Sequence, residues 1–243
     1  MMKILLTNDD GIDAPGLRAA FEAVRELGRV HVVAPKSEKS ACSHAITLSG
    51  PMRVERVKHP VYGEAHSVEG SPADCVRLAV SELHDHAFDL VLSGINRGAN
   101  AGVDTFYSGT IAGAREAAIF GLKAMAFSHA IQKEVEVNWD HATRQAKRLL
   151  AELLNEPLPA AGFWSVNFPP KMSGDGATRV HRVPVATGPM PMQFHRREHQ
   201  DGKSIEFGYA NPYWSREVDQ PSDYSVIRDG DIAVTAIPLY GKF

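Results

Sequence analysis

The stretch of residues 3–11 constrains the fold more than any other part of this chain, because an apolar run ends there in two adjacent carboxylates. Residues 4–6 are Ile-Leu-Leu, the kind of run that a buried parallel strand requires. Asp9 and Asp10 follow, and Gly11 permits a sharp turn. Successive side chains of a strand point to opposite faces, so both carboxylates can face one target only where the chain has left the strand.

The pair Asp9 and Asp10 is the first candidate site. Two neighbouring carboxylates repel each other unless positive charge lies close to both of them. A divalent metal ion supplies that charge, and oxygen ligands suit magnesium, manganese or calcium better than zinc. An acidic turn beside a helix cap explains the same residues without a metal ion, and this stretch alone leaves both interpretations open.

The spacing of apolar residues predicts a doubly wound α/β chain with a mostly parallel sheet and a β-rich C-terminal extension. We assign residues 1–170 to the α/β core and residues 171–243 to the extension, which we expect to form oligomer contacts. Core strands are predicted at 4–6, 30–34, 52–57, 66–68, 89–93, 124–127 and 163–168, and helices at 16–27, 71–83, 107–120 and 139–154. Extension strands are predicted at 179–185, 204–209 and 231–238.

Composition excludes several classes of protein. Hydrophobic residues make up 44% of the 243 residues, which is enough for a large core. The net charge of −3 indicates neither a nucleic-acid polymer nor an anionic membrane as a partner. Cys42 and Cys75 lack the spacing of a redox or zinc motif, and no run is long and apolar enough to span a bilayer, so we expect a soluble cytoplasmic protein.

Three polar segments follow predicted strands, namely residues 8–11, 36–44 and 94–102. In an open α/β sheet such segments meet beyond the carboxyl ends of the strands, where ligands bind. Asp9 and Asp10, a serine and an asparagine would then surround one hard metal ion and leave positions for water and a substrate oxygen. Residues 108–110, Ser-Gly-Thr at a predicted helix N-terminus, offer backbone amides to an anion, although an ordinary helix cap explains them as well.

Four ordered blocks of the sequence resemble the survival protein SurE family over roughly residues 2–170. They are Ile4-Leu5-Leu6-Thr7-Asn8-Asp9-Asp10-Gly11 with Ala14-Pro15-Gly16 after it, Gly70-Ser71-Pro72-Ala73-Asp74-Cys75-Val76, Ser93-Gly94-Ile95-Asn96-Arg97-Gly98-Ala99-Asn100, and Tyr107-Ser108-Gly109-Thr110. The resemblance implies a metal-dependent 5′/3′-nucleotidase, a phosphoric monoester hydrolase that releases phosphate from nucleoside monophosphates. It also implies a Rossmann-like core and assembly through the C-terminal region, here as a homodimer or homotetramer.

The resemblance also implies roles for particular residues. It implies one divalent ion, Mg²⁺ or Mn²⁺, with ligands at Asp9, Asp10, Ser40 and Asn96. Its phosphate-side positions are Asn100, Ser108, Gly109 and Thr110, and Asn8 is a further candidate for substrate binding. The family usually has serine followed by glycine where this chain has Ser40 and Ala41, and Ser37 and Ser43 are neighbouring alternatives.

Asp9 and Asp10 are the candidate catalytic residues. We expect a metal-activated water to attack phosphorus, with Asp9, nearer the strand, as the more important carboxylate. A response-regulator receiver domain needs an aspartate at the end of the third strand, where this chain has Ser93-Gly94-Ile95-Asn96. A haloacid-dehalogenase phosphatase needs two aspartates separated by one residue. A nucleotide-binding regulator without turnover remains the alternative.

Overall fold

The structure, a computed structural model, describes residues 1–84, 88–158, 161–172, 178–199, 204–210, 213–217 and 221–240. Its strands are β1 (Met2–Thr7), β2 (Gly28–Pro35), β3 (Val54–His59), β4 (Gly63–Val68), β5 (Leu90–Arg97), β6 (Ala124–His129), β7 (Gly162–Phe168), β8 (Val180–Arg182), β9 (Phe194–Glu198), β10 (Ile205–Tyr209) and β11 (Ile232–Pro238). Its α-helices are α1 (Pro15–Val24), α2 (Pro72–Leu78), α3 (Asp104–Tyr107), α4 (Gly109–Ile119), α5 (Trp139–Leu153) and α6 (Asp223–Arg228), with a π-helical turn at Ala79–Leu83 and a 3-10 turn at Tyr213–Ser215.

Nine strands form one sheet in the order β3-β4-β2-β1-β5-β6-β7-β11-β8. The six strands from β4 to β7 in this order are parallel, β3 is antiparallel to β4, and β11 is antiparallel to β7. The chain leaves β1 for β2 on one side and later adds β5 on the other, so the strand order reverses beside β1. This reversal opens a crevice at the carboxyl ends of β1 and β5. The predicted Rossmann-like α/β class is confirmed.

Strand β1 is buried on both faces, as its apolar run predicts. Leu5 packs into a core that includes residues of α2 and α4, whereas Ile4 and Leu6 pack into a second core with residues of α1 and α5. All three side chains are completely buried, and each burial stabilises the fold by about 1.5–3 kcal/mol. Strand β1, which leads into the acidic pair, is therefore packed between the two helical layers.

Strand β5 extends further than the sequence predicts. Residues 94–97, expected to begin a loop, remain in the strand, and the pairing of β5 with β6 shifts register between Ser93 and Asn96. Gly94 has a φ of +128°, and a Cβ at this position would lie 2.2 Å from the carbonyl oxygen of Phe127. Only glycine fits there, and beyond the irregularity Asn96 lies near the carboxyl end of β5.

The described part of the extension is divided between the main sheet and a separate hairpin. Strands β8 and β11 join the nine-stranded sheet, while β9 and β10 pair only with each other. Helix α6, which the apolar spacing does not predict, begins with a capping box formed by Ser222 and Ser225. Residues 173–177, 200–203, 211–212, 218–220 and 241–243 of the extension lie outside the described residues. Among the described helices, none has the length and apolar character needed to cross a membrane.

Candidate active site

The acidic pair lies in a turn that begins directly after β1. The strand ends at Thr7, and the side-chain amide of Asn8 donates to the carbonyl oxygen of Gly11 at 2.9 Å. Gly11 has a φ of +102°, which glycine adopts without steric cost. The chain has therefore left the strand before Asp9 and Asp10, so both carboxylates can face the same site.

Asp9 is held by the start of α4. Its side chain is 5% exposed, and its Oδ1 atom accepts a short hydrogen bond from the hydroxyl of Thr110. A Cβ at Gly109 would lie 2.8 Å from the Cβ of Asp9, so the helix approaches this closely only because residue 109 is glycine. Burial, and to a smaller degree the charge of Asp10, raises the pKa of Asp9 to about 6 despite the bond from Thr110.

Asp10 extends the acidic site toward β5. Its Oδ2 atom accepts a hydrogen bond of 3.0 Å from the backbone N–H of Arg97, and burial raises its pKa. Within the described residues, no lysine, arginine or histidine forms an ion pair with Asp9 or Asp10. Asp9 is buried and Asp10 is partly buried, and neither is neutralised by an ion-paired side chain among these residues, which fits a bound cation as their partner.

A cavity of about 320 Å³ gathers several of the predicted site residues. Its lining includes Asp9, Ser40, Asn96, Asn100 and Ser108. Asp10 follows Asp9 in the turn but does not line the cavity. Asn8 is completely buried, and its Oδ1 atom has no hydrogen-bond partner among the residues that the structure describes. The structure thus brings together residues from all three predicted polar segments.

Ser40 and Asn96 bring neutral oxygen atoms to the cavity. The hydroxyl of Ser40 donates to Glu38 at 2.5 Å and keeps its lone pairs for another partner. The side-chain N–H of Asn96 donates to the carbonyl oxygen of Gly98 at 2.9 Å, so its Oδ1 is the atom suited to a cation. Together with two carboxylates, these oxygens match a hard divalent ion. No group of three or more His, Cys, Asp or Glu side chains in the described ranges is placed to hold a metal ion.

Ala41, the residue after Ser40, is a position where this chain departs from the family pattern described above. Ala41 lines the cavity and has a φ of +52°, in the left-handed region that favours glycine. A glycine, which the family usually has at this position, would adopt this conformation without strain. Of the alternative serines, Ser43 donates its hydroxyl to the carbonyl oxygen of Phe106 at 2.6 Å, and neither Ser43 nor Ser37 lines the cavity.

The segment that carries Ser40 contacts α4 through a hydrogen bond between His44 and Glu116, which the sequence did not indicate. His44 Nε2 lies 2.7 Å from Glu116 Oε2, and Arg77 lies 3.0 Å from the other oxygen of Glu116. Glu116 is 3% exposed on the helix whose first residues contact Asp9. The nearly buried glutamate therefore links the serine segment to the helix at the site.

Asp74 of the second family block ties the same segment to α2. It accepts hydrogen bonds from the backbone N–H and the hydroxyl of Thr47, at 2.9 and 2.8 Å, and completes the capping box of α2 with Ser71. Burial acts to raise the pKa of Asp74, but these hydrogen bonds outweigh it and hold the pKa below its ordinary value. The predicted cap is confirmed, and Asp74 has a second role that spacing alone could not reveal.

The start of α4 has the features of an anion seat. Ser108 caps the helix by accepting from the N–H of Ile111 at 3.0 Å, and the positive end of an eleven-residue helix follows. The hydroxyl of Thr110 is directed to Asp9, so it orients a carboxylate. Asn100 is held in the cavity wall because its side-chain amide donates to Ser128 and its backbone N–H donates to Asn167, both at 2.8 Å.

Comparison with known proteins agrees with the four sequence blocks. The model of the family described as survival protein SurE matches residues 4–187. A putative 5′-nucleotidase of Synechocystis sp. is 39% identical over 97% of this chain and 99% of its own length. A 5′-nucleotidase SurE of Rhodopirellula baltica is 36% identical over 98% of this chain and 92% of its own length.

The fold agrees with a solved structure as well. The crystal structure of the SurE protein from Aquifex aeolicus superposes with a TM-score of 0.84 and 29% sequence identity, covering 99% of this chain and 94% of that chain. The similarity in sequence and the similarity in structure both extend over nearly the whole chain. The resemblance inferred from the blocks is confirmed: the chain belongs to the survival protein SurE family.

Proposed function

We propose that the protein is a metal-dependent nucleotidase, which hydrolyses nucleoside 5′- and 3′-monophosphates to nucleoside and phosphate. The 5′-nucleotidase names of its relatives support the reaction class. The observation that carries the proposal is an acidic pair, with Asp9 buried and Asp10 partly buried, that has no ion-paired side chain among the described residues and lies next to the N-terminus of α4. A cation and a phosphate group are the complementary ligands of two such features.

The residues suited to the ion are Asp9, Asp10, Ser40 and Asn96. A bound Mg²⁺ or Mn²⁺ would supply Lewis acidity toward a phosphoryl oxygen and lower the pKa of a water molecule at the site. Asp9 and Asp10 contribute the negative charge that balances the ion, and Ser40 and Asn96 contribute neutral oxygens from two other segments.

Asp9 is the general base of the proposed reaction. Its Oδ1 atom is occupied by Thr110, so Oδ2 is the oxygen that accepts the proton of the attacking water. The backbone N–H groups at the start of α4 bind the phosphoryl oxygens and stabilise their negative charge as the bond to the leaving oxygen breaks. The thiol of Cys42 is a poor nucleophile, because burial and the nearby Asp9 raise its pKa.

A comparison of AMP hydrolysis with added manganese and with EDTA tests the metal requirement. We expect phosphate release in manganese, a loss of release after exhaustive chelation, and recovery when metal is returned. Undiminished hydrolysis in EDTA would contradict the metal requirement. Parallel assays with 3′-AMP test the second substrate class. Binding of AMP without any turnover, in any divalent metal, would instead support a nucleotide-binding regulator.

A further inference from the structure

The candidate cavity has a second group of lining residues, which the proposed phosphate chemistry does not use. Tyr107, Tyr209, Tyr213 and Met190 line the same 320 Å³ cavity as Asp9 and Ser108. The three tyrosines come from the end of α3, from β10 and from the 3-10 turn of the C-terminal region, and Met190 lies in the connection between β8 and β9. One cavity therefore combines an anion seat with aromatic rings, as ligand pockets for mixed polar and apolar molecules do.

Tyr213 belongs to a rigid network. Its hydroxyl donates to Asp104 at 3.0 Å, and the guanidinium of Arg216 lies 4.3 Å from the centre of its ring. Arg216 also forms a bidentate pair with Asp104, at 2.8 and 2.9 Å. The charge of Arg216 is thereby balanced within the protein, so this part of the cavity suits an uncharged group better than an additional phosphate.

The side chains of Tyr107 and Tyr209 are more exposed to solvent than that of Tyr213. Their exposed fractions are 52% and 57%, and the hydroxyl of Tyr209 contacts the sulfur of Met190 at 3.2 Å. Tyr107 directly precedes Ser108, the cap of α4, so a group that packs on its ring lies next to the anion seat. Exposed aromatic rings are stacking surfaces for flat ligands, and nucleobases of every kind present a flat π face.

We propose that Tyr107 and Tyr209 form the nucleobase subsite of this cavity, an inference that rests on the proposed nucleotidase function. The two rings stack on the base while the start of α4 holds the phosphate. The strength of stacking depends on the area of the base and not on its hydrogen-bonding groups. The subsite therefore favours purine over pyrimidine nucleotides and accepts adenine and guanine alike. Ribose 5-phosphate lacks a base, so these two residues do not contribute to its binding.

Kinetics of Tyr107→Ala and Tyr209→Ala with AMP and ribose 5-phosphate test the subsite. We expect each variant to raise the KM for AMP about tenfold, on the scale of one lost stacking contact, with kcat unchanged. Hydrolysis of ribose 5-phosphate should not change. Phe106→Ala and Tyr240→Ala are matched controls, because both rings are exposed, at 68% and 70%, and neither lines the cavity. Equal losses on both substrates, or no loss on AMP, would overturn the proposal.

Calorimetric titration with adenosine in EDTA tests the subsite without turnover. We expect the unmodified protein and both controls to bind adenosine, and each cavity variant to bind it about tenfold more weakly. Absence of adenosine binding by the unmodified protein, or equal binding by all variants, overturns the subsite. Failure to hydrolyse both AMP and ribose 5-phosphate contradicts only the nucleotidase proposal, and the adenosine titration still decides the subsite.

Discussion

At the scale of single residues, the buried side chain of Asp9 has two proposed roles, as a ligand of the metal ion and as the general base. Asp9→Asn keeps the shape and one oxygen but removes the charge and the basicity. We expect turnover to fall by at least ~100-fold, the scale of general-base assistance, while the fold is retained. The measurement is AMP turnover at saturating manganese, with a circular dichroism spectrum of the same sample. Near-normal turnover by the folded variant would show that Asp9 is neither base nor necessary ligand.

Gly109 is the residue that allows α4 to approach the acidic pair. An added Cβ would lie 2.8 Å from Asp9 and 2.9 Å from the sulfur of Cys42, so Gly109→Ala must displace one of them. We expect turnover to fall roughly 100-fold, since an error of about 1 Å at a reacting group has that effect. Gly208→Ala is the control, because no atom lies within 4 Å of its added Cβ. Equal activity of the two variants would contradict the close approach.

At the scale of secondary-structure elements, β2, β4 and the π-helical turn bring together three histidines away from the cavity. The ring centres of His31 and His84 are 4.2 Å apart, and those of His66 and His84 are 5.6 Å apart. The Nε2 atoms of His31 and His84 are buried without a hydrogen-bond partner among the described residues. Burial, with the neighbouring histidines, lowers the pKa of His84 to about 4, and burial also lowers the pKa values of His31 and His66.

This cluster predicts a loss of stability in mild acid. The unfolded chain takes up protons near pH 6.5, the ordinary value for histidine, whereas folded His84 takes one up only near pH 4. The free energy of unfolding should therefore fall as the pH decreases from about 6.5 to about 4. Urea denaturation of His84→Phe should show a smaller fall, and the exposed-residue variant His195→Gln should behave like the unmodified protein. Parallel pH curves for all three proteins would contradict the prediction.

At the scale of the whole molecule, the C-terminal extension presents apolar side chains to solvent. Phe194, Ile205 and Phe207 of the separate hairpin are exposed by 51%, 47% and 62%, and the rings of Phe194 and Phe207 lie 6.4 Å apart. An exposed apolar patch on a two-stranded hairpin is typical of an interaction surface. We therefore keep the prediction that residues 171–243 assemble the protein into a homodimer or homotetramer.

Light scattering on the intact protein measures this assembly directly. We expect a mass of two or four chains at micromolar concentration, and a lower mass for the double variant Phe194→Ser with Phe207→Ser, which removes the apolar area from the hairpin. The exposed position Tyr240→Ser is a control that should keep the mass. A monomer of unmodified protein at micromolar concentration would exclude the assembly.

Much of the core was predictable because its signals are local. The apolar run of β1, the capping of α2 by Ser71 and the end of α4 before Gly121 each depend on residues a few positions apart. The acidic turn at Asp9 was predictable for the same reason. The extra length of β5 depended instead on pairing with β6, which no local pattern contains. Helix α6 has a local signal, the capping box of Ser222 and Ser225, but it is only six residues long and lacks an extended apolar period.

The sequence by itself determined which oxygen-bearing residues follow which strands, and therefore which residues could serve a metal ion and a phosphate. Only the tertiary structure decided their partners: Thr110 donates to Asp9 across 101 positions of sequence, and His44 reaches Glu116 across 72. The physical reason is that hydrogen bonds and burial act over a few ångströms of space. Distances of that kind depend on which strands are neighbours in the sheet, and packing of the whole chain sets that order.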